Sequence, residues 1–158
     1  MVCIPRRFTV SSEQETARLA RCLGACLKAG DTVLLDGVVG AGKTHFARHL
    51  IQSLLTAPED VPSPTFTLVQ TYDTRSGPVW HADLYRLSSI FEIEELGLTE
   101  AFDSAICLVE WPDRLGELTP DDALTIQFDQ GATEHSRKLA VDWTDPKWEP
   151  KMLNWTAS

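Results

Sequence analysis

The chain is poor in cysteine, in basic residues and in long apolar runs, and each shortage excludes something. Of its 158 residues only four are cysteine: Cys3, Cys22, Cys26 and Cys107. Cys22 and Cys26 stand four apart in a helical pattern, with no second Cys or His pair close by, so the spacing is not that of a zinc site. Cys107 falls inside an apolar run, and Cys22, Cys26 and Cys107 read as buried structural thiols in a reducing cytoplasm. Basic residues number 14 against 23 acidic ones, a formal net charge of −9. Such a chain is repelled by a polyanion unless a local basic patch overcomes the field, and its densest basic stretches are only Arg6-Arg7 and Arg137-Lys138. Direct nucleic-acid binding by this chain alone is therefore disfavoured, and docking on a protein partner is the more natural expectation. No run of 18 apolar residues exists, so no membrane-spanning helix is expected. No apolar segment follows Arg6-Arg7 and no lipidation pattern is evident, so neither a secretory signal nor an anchor is expected, and a cytoplasmic location follows.

Length and composition otherwise suit one ordinary domain with one core, covering 1–158, with 1–9 and 144–158 as peripheral segments. There are no repeats and no low-complexity stretches.

Against these absences stands one dense signal. Residues 37–44 read Gly-Val-Val-Gly-Ala-Gly-Lys-Thr, a full match to the phosphate-binding pattern G-x-x-x-x-G-K-[ST]. An apolar run, Thr32 to Asp36, precedes it and suits a buried parallel strand. Phe46, Leu50 and Leu54 follow at helical spacing, joined by Ala47 and Ile51. Strand, glycine loop, helix is the context in which this motif has its chemistry. Gly37, Gly40 and Gly42 let the backbone close on phosphate, successive N–H groups (Ala41 among them) form an anion nest, and the helix N-terminus adds partial positive charge. Lys43 can reach the β- and γ-phosphates and the Thr44 hydroxyl can ligate Mg²⁺. A nucleoside triphosphate site with magnesium is the first conclusion. His45 and His49 also lie four apart, but without the Glu of H-E-x-x-H, so exposed or capping histidines are expected rather than a metal pair.

The rest of the chain reads as alternating elements. Ser12 to Glu15 forms a capping box opening a helix with Leu19, Leu23 and Leu27 on its apolar face, ended by Gly30. Residues 66–72 and 78–84 read as a hairpin around 73–77. Ser89 to Glu92 is a second capping box, opening a short helix through Leu96; Gly97 interrupts, and Thr99 caps a further helical turn. Ala105 to Val109 reads as a central parallel strand. Residues 123–128 and 137–143 form a final hairpin, and Trp148 and Trp155 indicate that part of the tail packs on something.

A P-loop enzyme needs a carboxylate at the end of a second strand to hold the magnesium shell. Glu110, closing Ile106-Cys107-Leu108-Val109, meets that need and is favoured over an ordinary exposed strand-end glutamate. Asp83 ends another apolar stretch. It could orient attacking water or share the metal shell, and it could equally be a turn residue. Ser63-Pro64-Thr65 lies where switch loops of such enzymes bring a Thr near the γ-phosphate, though a simple Pro turn reads the same way. Arg86, Arg114 and Arg137 are weaker candidates for phosphate contact.

Taken together, Gly-Ala-Gly-Lys-Thr at 40–44, Ser-Pro-Thr-Phe-Thr-Leu-Val at 63–69, His-Ala-Asp-Leu-Tyr-Arg-Leu at 81–87, Glu-Leu-Gly-Leu at 95–98 and Val-Glu-Trp-Pro at 109–112 resemble the bacterial TsaE family. Arg114-Leu115-Gly116 follows in the same order, and the resemblance spans roughly residues 10 to 143. It implies a P-loop NTPase three-layer α/β/α sandwich with a mixed, mainly parallel central sheet and a C-terminal antiparallel hairpin. It implies ATP binding and hydrolysis with Mg²⁺, slow alone, in tRNA threonylcarbamoyladenosine synthesis. It further implies docking on TsaD and TsaB, which ATP hydrolysis resets between turnovers. Carried over by motif, Thr44 and Glu110 hold magnesium, Asp83 serves hydrolysis, Thr65 sits in the switch-like loop and Trp111 sits beside the nucleotide. The segment around Val10 and Ser11 lies near the adenine, and Arg137 approaches the nucleotide from the last hairpin. Three positions depart from the family pattern: Val38 stands where Asp is usual, His45 where Thr is usual, and His49 where Gly is usual. They bear on the hydrolysis rate and the α-phosphate contacts. A small-molecule kinase and a non-catalytic nucleotide-sensing module are the alternatives. The absence of an Arg-rich insertion counts against the first, and Asp83 and Glu110 count against the second.

Overall fold

A computed structural model describes residues 6–153 and 155; Cys3 lies outside the described residues. One seven-stranded sheet organises the chain. Its strands are β1 (Arg6–Val10), β2 (Thr32–Gly37), β3 (Val69–Thr74), β4 (Gly77–Asp83), β5 (Ile106–Glu110), β6 (Leu124–Gln130) and β7 (Arg137–Asp142), in spatial order β1-β7-β6-β2-β5-β4-β3. The central ladders β6/β2, β2/β5 and β5/β4 are parallel, and the outer ladders β1/β7, β7/β6 and β4/β3 are antiparallel. All five residues of β5 are buried, as expected of a strand covered on both faces.

Helices cover both faces. On one side lie α1 (Glu13–Gly24) and α2 (Lys43–Leu54). They pack over Val33, Leu35, Ile106 and Leu108, in a core that also takes Phe46, Leu50 and Ile51. On the other side α3 (Ile90–Glu95), α4 (Leu98–Ser104) and a 3-10 segment, Pro112–Leu118, pack over Leu34, Cys107 and Val109. The result is the three-layer α/β/α sandwich with a mixed sheet that the sequence implies. Five of the seven strands run the same way, and β6 and β7 form the C-terminal antiparallel hairpin. Among the described residues no helix is long and apolar enough to cross a membrane.

Several local expectations need correction. The helix opened by Ser12 stops at Gly24, not Gly30, because the N–H groups of Cys26 and Leu27 turn back onto Leu23 and Gly24. Gly30 instead stands at φ +94 in the turn into β2, its N–H donating to the Ala105 carbonyl. In the capping box Ser12 accepts from the Glu15 N–H at 3.2 Å, but the Glu15 carboxylate accepts from Ser11, one residue before the cap. Ser89 caps α3 through the Phe91 N–H. The next helix is capped by Gly97 at φ +80, not by Thr99, which lies inside it. β3 begins at Val69, three residues after the expected start, and Leu68 before it sits at φ 70. The hairpin forms as expected, but its turn is tighter than 73–77: Asp73 pairs with Pro78 and Thr74 with Gly77, leaving only Arg75 and Ser76 to reverse the chain.

Cys22 and Cys26 are exposed, because the α1 face that packs inward is Ala17, Leu19, Ala20 and Leu23. Cys107 is buried as expected, and burial pushes its thiol up to about 12. A thiol-specific reagent at pH 8 is therefore expected to label Cys22 and Cys26 in the folded chain and Cys107 only after unfolding, read residue by residue by mass spectrometry.

β1 and the tail helix α5 (Trp148–Met152) are built into the molecule. β1 completes the sheet against β7. Trp148 is fully buried and its indole N–H donates to the Asp122 carbonyl at 2.7 Å; Trp155 donates to the Leu19 carbonyl at 2.8 Å. Lys147 and Lys151 both pair with the buried carboxylate of Asp31. Trp148→Ala is expected to destabilise the fold by about 3–5 kcal/mol, a loss of roughly 6–20 degrees in Tm if the site does not collapse. A thermal melt checks it, and a shift of only a degree or two would show that the tail is dispensable.

Candidate functional site

The site forms where β2, β4 and β5 end on the same edge of the sheet. Gly37 closes β2 and is held opposite Phe128 in the ladder with β6, at φ +145. A Cβ there would lie 2.6 Å from the Phe128 carbonyl oxygen, so only glycine allows the loop to leave the sheet at this point. Gly42, at φ +107, is the N-cap of α2 and brings no side chain of its own to the helix terminus. The first amides of α2 are thus left facing a cleft of about 560 Å³. Lys43, Thr44, Thr65, Asp83, Trp111 and Arg137 line it.

Each candidate side chain has a definite place. Thr44 Oγ1 donates to Glu110 Oε1 at 2.7 Å. Asp83 lies directly opposite Glu110 in the parallel ladder between β4 and β5, so both carboxylates stand on the α2 side of the sheet at the ends of their strands. Asp83 accepts from Thr65 Oγ1 at 3.1 Å and from the Tyr85 N–H at 3.0 Å. Thr65, 18 residues earlier, is therefore drawn into the cleft by a carboxylate, and Ser63 meets its hydroxyl at 2.8 Å. The Ser63-Pro64-Thr65 stretch is not a bare turn.

Lys43 is buried, its ammonium donating back to the Gly37 carbonyl and standing 3.6 Å from the centre of the Trp111 ring. Burial lowers its pKa, opposed by the charges of Glu110, Asp83, Asp36 and Asp113 in that order. Trp111 holds a left-handed backbone, φ 58 and ψ 54, immediately after Glu110. A non-glycine residue pays roughly 1–3 kcal/mol for such a position, and the strain sits where the indole must face the lysine and the Tyr85 ring, 4.8 Å away.

Arg137 is turned towards the P-loop itself. Its guanidinium donates to the Ala41 and Gly40 carbonyls at 3.1 and 3.4 Å and to the Glu134 and Ser136 carbonyls. It braces the loop from the carbonyl side, opposite the amides. Arg137→Ala is expected to loosen the loop and weaken nucleotide binding about tenfold without changing the fold. A binding titration beside a circular dichroism melt separates the two effects. Ser11 is exposed, with its N–H taken by Glu15, and from α1 it is Glu13 and Thr16 that reach the cleft. His45 and His49 are neither exposed nor caps: both are half-buried, with rings 4.5 Å apart, and His45 lines the cleft and meets the Glu13 carbonyl at 3.2 Å. Arg86 stands 5.3 Å over the exposed Phe66 ring. Neither Arg86 nor Arg114 lines the cleft.

The sequence reading gave no role in the site to His81, nor to Glu13, Thr16, Tyr85 and His135, which line the cleft. His81 is fully buried, and its Nε2 lies 2.7 Å from Glu110 Oε2. The signal was present: a histidine two residues before Asp83 in an otherwise apolar strand shares its face at period two.

Thr44 and Glu110 offer oxygen donors, and Asp83 adds carboxylate oxygens beside them. Magnesium prefers oxygen, keeps several waters and is commonly held by one or two protein groups plus phosphates, so the donor set fits that ion. Among the described residues no group of three His, Cys, Asp or Glu side chains could hold a metal by itself.

Comparison with known proteins agrees with this arrangement. Residues 10–139 match the family described as threonylcarbamoyl adenosine biosynthesis protein TsaE. The chain is 38% identical over 139 residues to the tRNA threonylcarbamoyladenosine biosynthesis protein TsaE of Rickettsia conorii, covering 88% of this chain and 78% of that protein. It is 40% identical over 121 residues to the TsaE of Bacillus subtilis, covering 76% and 75%. In three dimensions it resembles the crystal structure of Bacillus subtilis YdiB, with a TM-score of 0.79 and 25% identity over 98% of this chain and 96% of that one. With the family pattern matched across 10–139 and its P-loop, Asp83 and Glu110 meeting at one sheet edge, the chain belongs to the TsaE family of threonylcarbamoyl adenosine biosynthesis proteins.

Proposed function

We propose that this protein binds ATP with Mg²⁺ and hydrolyses it slowly alone, and that TsaD and TsaB are the cytoplasmic partners it acts on. Hydrolysis would reset that pair between rounds of threonylcarbamoyl transfer to tRNA. The observation that carries the reading is the meeting of Lys43, Thr44, Asp83 and Glu110 at the mouth of the P-loop, from two strands and one helix.

The chemistry follows from these positions. The amides at the start of α2 and the Lys43 ammonium would bind the phosphates, Lys43 leaving the Gly37 carbonyl to do so. Thr44 and Glu110 would hold Mg²⁺, which when bound neutralises charge on the phosphate oxygens. Asp83, fixed at both carboxylate oxygens by Thr65 and the Tyr85 N–H, would orient water for in-line attack on the γ-phosphate. Trp111 would shield one side of the site from bulk water. The charge of −9 makes tRNA an indirect partner, reached through the complex.

The test is phosphate release by the purified chain with ATP, with and without Mg²⁺, alone and with TsaD and TsaB from the same source. A low, Mg²⁺-dependent rate that rises with the pair is expected. ATP binding with no turnover in any condition would overturn hydrolysis and favour a nucleotide sensor.

A further inference from the structure

The histidine missed by the sequence reading is the one buried titratable side chain at this edge that the proposed chemistry leaves without a role. His81 is 0% exposed and has a single polar partner, Glu110 Oε2. Its Nδ1 has no hydrogen-bond partner. A carboxylate only accepts, so Nε2 carries the proton in this contact. A histidine kept in a core for packing alone would be replaced at no loss by leucine or phenylalanine, because burying an unpartnered ring nitrogen is unfavourable. Its one hydrogen bond goes to the one carboxylate that also touches the P-loop threonine.

Glu110 is thus gripped at both oxygens. Oε1 faces Thr44 and Oε2 faces His81, each at 2.7 Å. A carboxylate on a flexible two-carbon stem has several rotamers, and a donor on one oxygen selects the one that aims the other. Residues 79, 81 and 83 of β4 lie beside 106, 108 and 110 of β5 in the parallel ladder, so the sheet itself sets the distance from the imidazole to the carboxylate.

We propose that His81 is a positioning residue: its Nε2–H holds Glu110 so that Oε1 is presented with Thr44 Oγ1 to the magnesium ion of the nucleotide complex. The inference rests on the proposed Mg·ATP reading and makes a separate claim. His81 matters to the metal requirement, not to the P-loop's grip on nucleotide and not to the fold.

The experiment titrates Mg²⁺ into the chain with a fluorescent ATP analogue, and repeats the measurement with Mn²⁺ followed by electron paramagnetic resonance, for wild type, His81→Leu, His81→Gln and His81→Asn. Glutamine places an amide N–H near the imidazole Nε2, whereas asparagine is one carbon too short to reach Glu110. For His81→Leu and His81→Asn the half-saturating metal concentration is expected to rise about tenfold. Nucleotide affinity in EDTA should stay near wild type, and the melting temperature of the free chain should fall by no more than the several degrees that one lost buried hydrogen bond accounts for. His81→Gln should return the metal requirement to within about threefold of wild type, a rescue that a purely structural histidine would not show. If His81→Leu fails to fold, the comparison of Gln with Asn decides. An unchanged metal requirement in His81→Leu, or equal values for Gln and Asn, overturns the proposal. A wild-type chain that binds ATP without any response to Mg²⁺ overturns the parent reading and the inference with it. A wild-type response together with indifferent His81 variants overturns the inference alone.

Discussion

Lys43→Ala is expected to weaken ATP binding by roughly 30- to 100-fold while leaving the fold intact. A charge-assisted contact to phosphate in a partly dry cleft is worth about 2–3 kcal/mol, and each 1.4 kcal/mol is tenfold in affinity. The fold should survive because the substitution removes a buried cation rather than an apolar anchor. In the free chain Lys43 bonds the Gly37 carbonyl and faces Trp111, and its burial already works against its charge. Relief of that desolvation offsets the lost contacts, so Tm is expected to move by a few degrees at most. The sign of the pH dependence follows from the same cause. With its pKa lowered, Lys43 loses its proton earlier than an ordinary lysine at 10.5, so ATP binding should begin to fall at a more modest alkaline pH. Isothermal titration across pH 7 to 10 for wild type and Lys43→Ala measures both effects. Near-normal affinity in the variant would end the P-loop assignment.

Glu110→Ala should lower partner-stimulated ATP turnover by about 100- to 1,000-fold, the range seen when one preorganised charge-stabilising group is removed from a site. Two opposing terms act on stability. Removing the carboxylate leaves the His81 Nε2–H and the Thr44 hydroxyl without their acceptor, and a buried orphaned donor costs about 1–3 kcal/mol. Against this, the chain no longer buries a carboxylate that is only 2% exposed. The two are of similar size, so a large loss of turnover should accompany a small change in melting temperature. Glu110→Gln separates charge from shape: it preserves the side-chain volume but loses the negative charge, and its turnover should fall nearly as far. Single-turnover phosphate release with TsaD and TsaB present, beside a thermal melt, reads both quantities. Unchanged turnover in Glu110→Ala would remove this residue from the chemistry, and with it the reason to place magnesium beside Thr44.

What the linear chain determined by itself is what short spacings can encode. The glycine loop, its lysine and threonine, the strand before it and the helix after it occupy one contiguous segment, and their geometry depends on neighbours in sequence. The same holds for the two hairpins, for the apolar run ending in Glu110, and for the ordered motifs that resemble the TsaE family. Where the reading failed, the deciding contact came from far away. Arg6–Val10 is a strand because β7, about 130 residues later, pairs with it, and five residues with two arginines do not announce that partner. Leu19, Leu23 and Leu27 pack inward as the periodicity predicts, but α2 and the sheet widen that stripe towards Ala17 and Ala20 and leave Cys22 and Cys26 exposed. The grip of His81 on Glu110 spans 29 positions and that of Thr44 on the same carboxylate spans 66. Neither pairing is visible until the parallel β4/β5/β2 order puts those strand ends side by side. Local propensity and motif chemistry reside in the backbone's immediate neighbours. The aim of a carboxylate and the bracing of a loop by Arg137 reside in contacts that only the closed sheet brings within hydrogen-bond reach.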